Sequence, residues 1–207
     1  MLMVSCSGYR FSQQDNPLSQ YGIQSLSVPM FYNYSNLSES QIDFTRETYR
    51  LLTGFSGLKL VSGYSKKTDA VLIAILKSPE KAMETVRPSN PRLAQEKAKT
   101  SIGNDRQDFY IPGTSTVTVY LHVIVIKKPT EEELQLLRSG IGDKLLTNSK
   151  VIFNEIMPLT AQYTREVLDR KGTQVVGTQN IGVQRKILQS LAEQAAVNIK
   201  DMILYAF

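Results

Sequence analysis

Thr114-Ser115-Thr116-Val117-Thr118-Val119-Tyr120-Leu121-His122-Val123-Ile124-Val125-Ile126-Lys127-Lys128 is the stretch whose reading decides the fold. Val117, Val119, Leu121, Val123 and Val125 alternate with Thr116, Thr118, Tyr120, His122, Ile124 and Ile126. A period of two puts the two sets on opposite faces of a strand. β-branched and aromatic side chains suit a pleated, half-buried surface, and no Pro or Gly breaks the run, so a long interior strand is predicted. Its Val/Leu face requires an apolar cover. The other face is mixed, which predicts a sheet covered on one side and partly wet, or protein-covered, on the other.

Downstream, Thr130 and Glu133 have the spacing of a helix cap. A further strand is expected from Lys150 to about Arg165, with Val151, Phe153 and Ile156 at its start and Pro158 demanding a break or an edge position. From about Val183 to Leu204 the residues Leu188, Ala192, Ala195, Ile199 and Ile203 form one helical stripe, supported by Leu191 and Met202, that should cover the sheet.

Upstream, Ile23 to Met30 alternates, with Leu26 and Val28 against Ser25 and Ser27, and Pro29 limits the strand. Ser38 with Gln41 reads as a capping box opening a helix in which Ile42, Thr45, Tyr49 and Leu52 recur until Gly54. Leu58, Leu60 and Tyr64 mark a second strand, Gly63 to Asp69 a turn, and Ala70 to Lys77 an apolar strand, together predicting a hairpin. Between Ser78 and Gly113, Pro79, Pro88, Pro91 and Pro112 punctuate a charged segment that is long for a loop, with a short helix expected over Pro91 to Thr100. These elements predict an α+β fold: a two-layer sandwich of two long helices on one face of a mostly antiparallel sheet of about four to five strands.

The 207 residues most simply form one domain. Against 19 Asp and Glu stand 24 Lys and Arg, a net +5 that suits an anionic partner without the strong excess of a dedicated nucleic-acid binder. A single Cys allows no internal disulfide and, with a single His, no zinc cage. No apolar run approaches the length of a membrane span. His122 sits mid-strand, away from Cys6, so no Cys/His or Ser/His arrangement is formed. Gly54 to Gly57 and Gly172 to Gly177 lack the spacing of a phosphate cradle. No catalytic residue, cofactor or metal site is expected, and binding is the better reading.

Met3-Val4-Ser5-Cys6 resembles a bacterial lipobox, whose Cys takes a diacylglycerol group, although the basic and hydrophobic run that precedes a lipobox is missing. Two readings of Cys6 stay open at this point: a lipid-attachment site whose gene start was placed too late, or an ordinary free thiol. Ser12 to Gln20 is polar and reads as a tether. The expected division is therefore residues 1–20 as lipobox remnant and tether, and 21–207 as a single α/β domain with a long insertion at about 78–113.

Taken in order, Cys6-Ser7-Gly8-Tyr9-Arg10-Phe11, then Leu26-Ser27-Val28-Pro29-Met30-Phe31-Tyr32-Asn33, a helix, Thr68-Asp69-Ala70-Val71-Leu72-Ile73, a long alternating strand, Ser149-Lys150-Val151-Ile152-Phe153 and a closing helix resembles the lipopolysaccharide-assembly lipoprotein family, LptE. The likeness spans nearly the whole chain. Ser7 before Gly8 and the length of the 78–113 segment depart from that pattern. The resemblance implies an outer-membrane lipoprotein acylated on Cys6, on the periplasmic side, with no enzymatic activity. It implies a plug in the lumen of a large LptD-like β-barrel that helps the barrel assemble and pass lipopolysaccharide to the cell surface. Implied partners are that barrel, lipopolysaccharide and the membrane, with no nucleic acid. The alternative is a periplasmic lipoprotein that regulates a cell-wall synthase or builds a secretion channel.

Tracing the predicted sheet places Lys77, Arg92, Arg106, Arg165, Arg170 and Lys171 at one end, and Lys66, Lys67, Lys127, Lys128 and Lys144 at the other. Because Arg and Lys bind phosphate through charge-assisted hydrogen bonds, Arg92, Arg106, Arg170 and Lys171 are the candidate lipopolysaccharide-binding residues. The plain alternative is that both clusters only solvate the surface.

Overall fold

The alternating stretch lies within one strand of 18 residues, Tyr110–Lys127, to which three other strands pair. A computed structural model describes residues 14–80, 85–93, 110–138, 149–164 and 177–205. Among them the strands are β1 (Gln14–Asp15), β2 (Ser25–Val28), β3 (Tyr32–Tyr34), β4 (Phe55–Ser56), β5 (Lys59–Ser62), β6 (Ala70–Lys77), β7 (Val86–Leu93), β8 (Tyr110–Lys127) and β9 (Val151–Thr164). The helices are α1 (Ser40–Leu52), α2 (Glu131–Arg138) and α3 (Gly177–Tyr205), with a 3-10 turn over Pro17–Tyr21.

The fold is α+β, as expected, but its sheet is larger and more mixed. Seven strands form the main sheet, and β1 and β4 make a small separate parallel pair. Five lines of backbone hold the seven strands, in the order β5, β2 with β3, β6 with β7, β8, β9. β2 and β3 both pair with β6, and between Ser27↔Val71 and Tyr32↔Ile75 five steps on one side meet four on the other. This jog falls at Pro29, which has no N–H for a ladder. β6 takes one stretch of β8, residues 120–127, and β7 takes another, residues 110–117. Since β9 lies along the opposite edge of both stretches, β7 continues the line of β6.

The hairpin expected from Leu58 to Lys77 is not formed. β5 and β6 both run parallel to β2 and flank it. The connection 63–69 returns over β2: Gly63 N–H donates to Val28 O, Ser65 N–H to Ser27 Oγ, and Asp69 N–H to Ser25 O. Ser27 is fully buried beneath it. Relative to β2, the two ends of the traced sheet are therefore exchanged. Lys66 and Lys127 lie where β2 begins, and Lys77 is not at an end at all, since it faces Tyr120 halfway along β8. The short helix expected over Pro91 to Thr100 is corrected at its start, where Pro91 to Leu93 belong to β7; residues 94–100 lie outside the described residues. Pro88 and Pro91 are tolerated there because β7 pairs only with β8 among the described residues.

One face of the sheet carries the main core. Val117, Val119, Leu121, Val123 and Val125 are fully buried and pack with Leu26, Val28, Leu72, Leu76, Phe44 and Leu52, and with the stripe Leu191, Ala192, Ala195, Ile199 and Ile203 of α3. The expected cover is thus α1 beside α3. The inward stripe of α1 is Ser40, Phe44, Glu47, Thr48 and Leu52, so Ile42 is displaced to the surface. The Ser38–Gln41 capping box is absent. Glu39 caps the helix with φ 60° and no side-chain bond, while Asn33 takes the Gln41 side chain at 3.0 Å. Residues 14–20, read as tether, belong to the fold: Leu18 is fully buried, and Asn16 Nδ2 donates to Ile23 O at 2.8 Å.

A third helix, absent from the expected pair, lies on the second face. Leu134 and Leu137 of α2 close a smaller core over Val71, Ile73, Ile75, Ile124 and Ile126. The cap read from Thr130 and Glu133 is formed reciprocally, Thr130 N–H to Glu133 Oε2 at 2.7 Å and Glu133 N–H to Thr130 Oγ1 at 3.2 Å.

Candidate functional site

The alternation of β8 divides its second face into two halves. Toward Lys127 the side chains are Ile124 and Ile126, and α2 covers them. Toward Tyr110 they are Tyr120, Thr118 and Thr116, with no described helix above them. The physical reason is the change in residue type along one strand, since an apolar half gains by burying its surface and a hydroxyl-rich half keeps its bonds to water.

Register builds this open half from four lines. Tyr34, Lys77, Tyr120 and Pro158 lie side by side across β3, β6, β8 and β9. Thr118 faces Thr160, their hydroxyls 3.3 Å apart, and Arg87, Thr116 and Gln162 form the next row. Tyr34 is 55% exposed and Tyr120 39%. A cleft of about 330 Å³ opens here, lined by Pro79, Arg87, Thr116, Thr118 and Tyr120.

His122 sits where covered and open halves meet. It is 7% exposed, its Nε2 lies 2.6 Å from Asn154 Oδ1, and its Nδ1 is buried without a hydrogen-bond partner. The partner is an amide rather than a carboxylate, so the ring is oriented but not set up as the base of an acid–base pair. Among the described residues no group of His, Cys, Asp and Glu could hold a metal, and no helix is long and apolar enough to cross a membrane.

Charge is distributed unequally between the halves. At the covered end two lysines meet carboxylates of α2: Lys66 to Glu131 at 2.9 Å and Lys150 to Glu133 at 2.9 Å. The Glu131 hydrogen bond raises the Lys66 ammonium above its usual range. Glu133 is held below the usual carboxylate range, first by the Thr130 N–H and then by Lys150. Asp69 is held low by the Ser25 hydroxyl, then by the Gln24 N–H. In the rows of the open half, by contrast, the charged side chains are Lys77 and Arg87, and no carboxylate shares those rows.

Of the four residues expected to bind lipopolysaccharide, the described residues include only Arg92. Cys6, Arg106, Arg170 and Lys171 are outside the described residues, as are Arg165 and Lys144. Arg92 is in β7 with its backbone opposite Ile111, and Thr164 is opposite Thr114, so β7 and β9 lead out at one end of the sheet. The structure brings Lys66, Lys67, Lys127 and Lys128 to the other end, around the start of β6. Sequence reasoning singled out Thr116, Thr118 and Tyr120 as a mixed face but placed Lys77 at a sheet end and did not set Arg87 or Lys77 beside them. Alternation in β8 was legible, whereas the strands beside it depended on long-range pairing.

No family model matches this chain, and no curated protein matches its sequence. Solved structures with a related arrangement include rare lipoprotein B from Shewanella oneidensis, with 12% identity, 88% of this chain and 92% of that chain covered, and a TM-score of 0.40. A protein from Chlamydia trachomatis has 10% identity over 87% of this chain and 98% of that chain, with a TM-score of 0.39. A minor lipoprotein from Acinetobacter baumannii has 11% identity over 86% of this chain and 90% of that chain, with a TM-score of 0.37. Likeness at this level places no function on the chain.

Proposed function

We propose that this protein is an outer-membrane lipoprotein, acylated on Cys6 and facing the periplasm, that plugs a large β-barrel and helps it assemble and pass lipopolysaccharide to the surface. The observation that carries the reading is the order of sequence blocks, from Cys6-Ser7-Gly8-Tyr9-Arg10-Phe11 through Val28-Pro29-Met30-Phe31-Tyr32-Asn33 and Asp69-Ala70-Val71-Leu72 to the closing helix. The described body is physically suited to such a role. Its sheet is stiffened by α1 and α3 on one side and by α2 on part of the other, and it keeps a wet half-face for contact with a wall or a ligand. Acyl groups on a peptide segment would hold it at a membrane without a span. The role is binding and support rather than catalysis.

Mass spectrometry of the full-length protein, expressed from its natural locus with upstream codons and extracted in mild detergent, tests this reading. A triacylated Cys6 with a co-purifying β-barrel is the expected result. An unmodified Cys6 in an unaccompanied soluble protein overturns it, as does recovery of a cell-wall synthase in place of the barrel.

A further inference from the structure

We infer that the outer edge of β9, from Leu159 to Thr164, is a docking site for an extended segment of another protein, which adds there as a further strand of the sheet. Such an edge takes a strand from a barrel or from any other protein alike, so the site stands or falls apart from the plug reading.

β9 runs for 14 residues and pairs with β8 alone among the described residues. Thr118 N–H donates to Thr85 O at 2.9 Å, on the β7 side of β8. In an antiparallel ladder a residue turns its N–H and C=O to the same side, so Thr118 does not bond to Thr160, its partner in register. Thr160 therefore turns its own N–H and C=O away from β8. Alternation does the same for Gln162 and Thr164, and for Pro158, whose missing N–H costs the ladder nothing in that position. Thr160, Gln162 and Thr164 are exposed, whereas Leu159 is fully buried and Tyr163 is buried, so the free groups stand on a firmly packed strand. Six residues make roughly 20 Å of edge.

The other margins of the sheet are protected. β5 has four residues and opens with Lys59, β7 carries Pro88 and Pro91, and the first half of β9 carries Glu155 and ends at Pro158. Charges and prolines of this kind keep an edge from pairing. Leu159-Thr160-Ala161-Gln162-Tyr163-Thr164 has neither, and no Gly, while its Thr and Tyr favour a strand. The occupant is a strand, because only an extended backbone presents donors and acceptors at the spacing of this edge. A second copy fits poorly: each copy carries +5, and a six-residue ladder falls well short of the about 1,200 Å² that a stable interface between folded bodies buries. A flexible segment binds chiefly by main-chain bonds, and the positive chain selects an uncharged or acidic one.

The probe is a synthetic peptide of residues 114–121, the sequence that pairs with β9 on its inner side, with Glu added at each end. NMR on the full chain should show shifts and slowed exchange at the Thr160, Gln162 and Thr164 amides. Gln162→Pro removes one outward N–H and leaves the bonds to β8, so it should weaken binding at least about tenfold with unchanged thermal unfolding. Gln162→Ala keeps that N–H and should bind within about twofold of the unaltered protein. The same peptide N-methylated at its four central residues should bind at least about tenfold more weakly, and it carries the test should Gln162→Pro fold poorly. No binding at about 1 mM peptide overturns the proposal, as do equal binding of the N-methylated peptide or shifts confined to other strands. Sedimentation showing a dimer that Gln162→Pro dissolves assigns the edge to a second copy and overturns it too. A co-purifying barrel with an inert edge leaves the plug reading standing and removes this site. A peptide-binding edge without a barrel does the reverse.

Discussion

Ser25 and Asp69 bind each other at both backbone and side chain. Ser25 N–H and Oγ donate to Asp69 Oδ2 at 2.9 and 2.7 Å, and Asp69 N–H donates to Ser25 Oγ at 2.9 Å and to Ser25 O at 3.1 Å. Ser25 opens β2 and Asp69 immediately precedes β6, and this clasp sets the parallel register Leu26↔Ala70. Gln24 N–H adds a further donor to the same carboxylate at 3.1 Å.

Asp69→Ala should therefore lose about 1–3 kcal/mol of stability, since it leaves the Gln24 and Ser25 donors without their acceptor. Urea unfolding monitored by circular dichroism measures it. A loss below about 0.5 kcal/mol would show that the register is set elsewhere.

Acid should weaken the same clasp. Asp69 and Glu133 are both held below their ordinary values in the folded protein. Unfolded, such carboxylates titrate near about 4. Folded pKa values that lie below the unfolded ones contribute stability that is present above the unfolded value and is lost as pH falls through the folded ones. Stability should be flat from neutral pH to about 5 and decline below about 4. In Asp69→Asn combined with Glu133→Gln, the part of that decline due to these groups should be missing.

α2 holds the second core through few contacts, so it is open to test. Leu134→Ala should cost about 2–4 kcal/mol, because the side chain is 3% exposed over Ile124 and its neighbours. Leu137→Asp should lift the helix and expose Val71, Ile73 and Ile75, giving increased binding of a hydrophobic dye with the main core still folded. Unchanged dye binding would mean that α2 does not protect this face.

On β8 and β9, position on the face should decide the cost of truncation. Leu121→Ala, in the main core, should cost about 2–5 kcal/mol. Ile156→Ala, 59% exposed on the second face, should change stability by less than about 0.5 kcal/mol. Thermal melts of the two variants make the comparison, and equal costs would contradict the assignment of faces.

Glu39 stands in the left-handed region with φ 60° at the start of α1 and makes no side-chain capping bond. Glu39→Gly should raise stability by about 0.5–1 kcal/mol, the relief of left-handed strain exceeding the extra chain entropy of glycine. A destabilised variant would mean that Glu39 makes an interaction that outweighs the strain.

Local chemistry made much of this fold legible. The alternation from Val117 to Ile126, the stripe from Leu188 to Ile203 and the Thr130–Glu133 cap each depend on residues near one another in sequence, and each is present as read. The halves of the second face were also written in β8, as isoleucines followed back along the strand by tyrosine and threonines. Strand partners were not legible. A turn containing Gly63 and Asp69 reads as a hairpin because a hairpin is the cheapest local closure, yet the clasp with Ser25 lies 44 residues away and turns β6 parallel. The same long-range pairing carries Lys77 from a supposed sheet end to the side of Tyr120, and sets Arg87 beside Thr116. By itself, the sequence determined the long strand β8 and its two faces, the closing helix with its apolar stripe, and the Thr130–Glu133 cap, because periodicity and caps act over a few residues; it did not determine β7 or the buried face of α1. Only the tertiary structure decided which strands meet, and so which cations and tyrosines share a surface, because register comes from hydrogen bonds and packing between residues far apart in the chain.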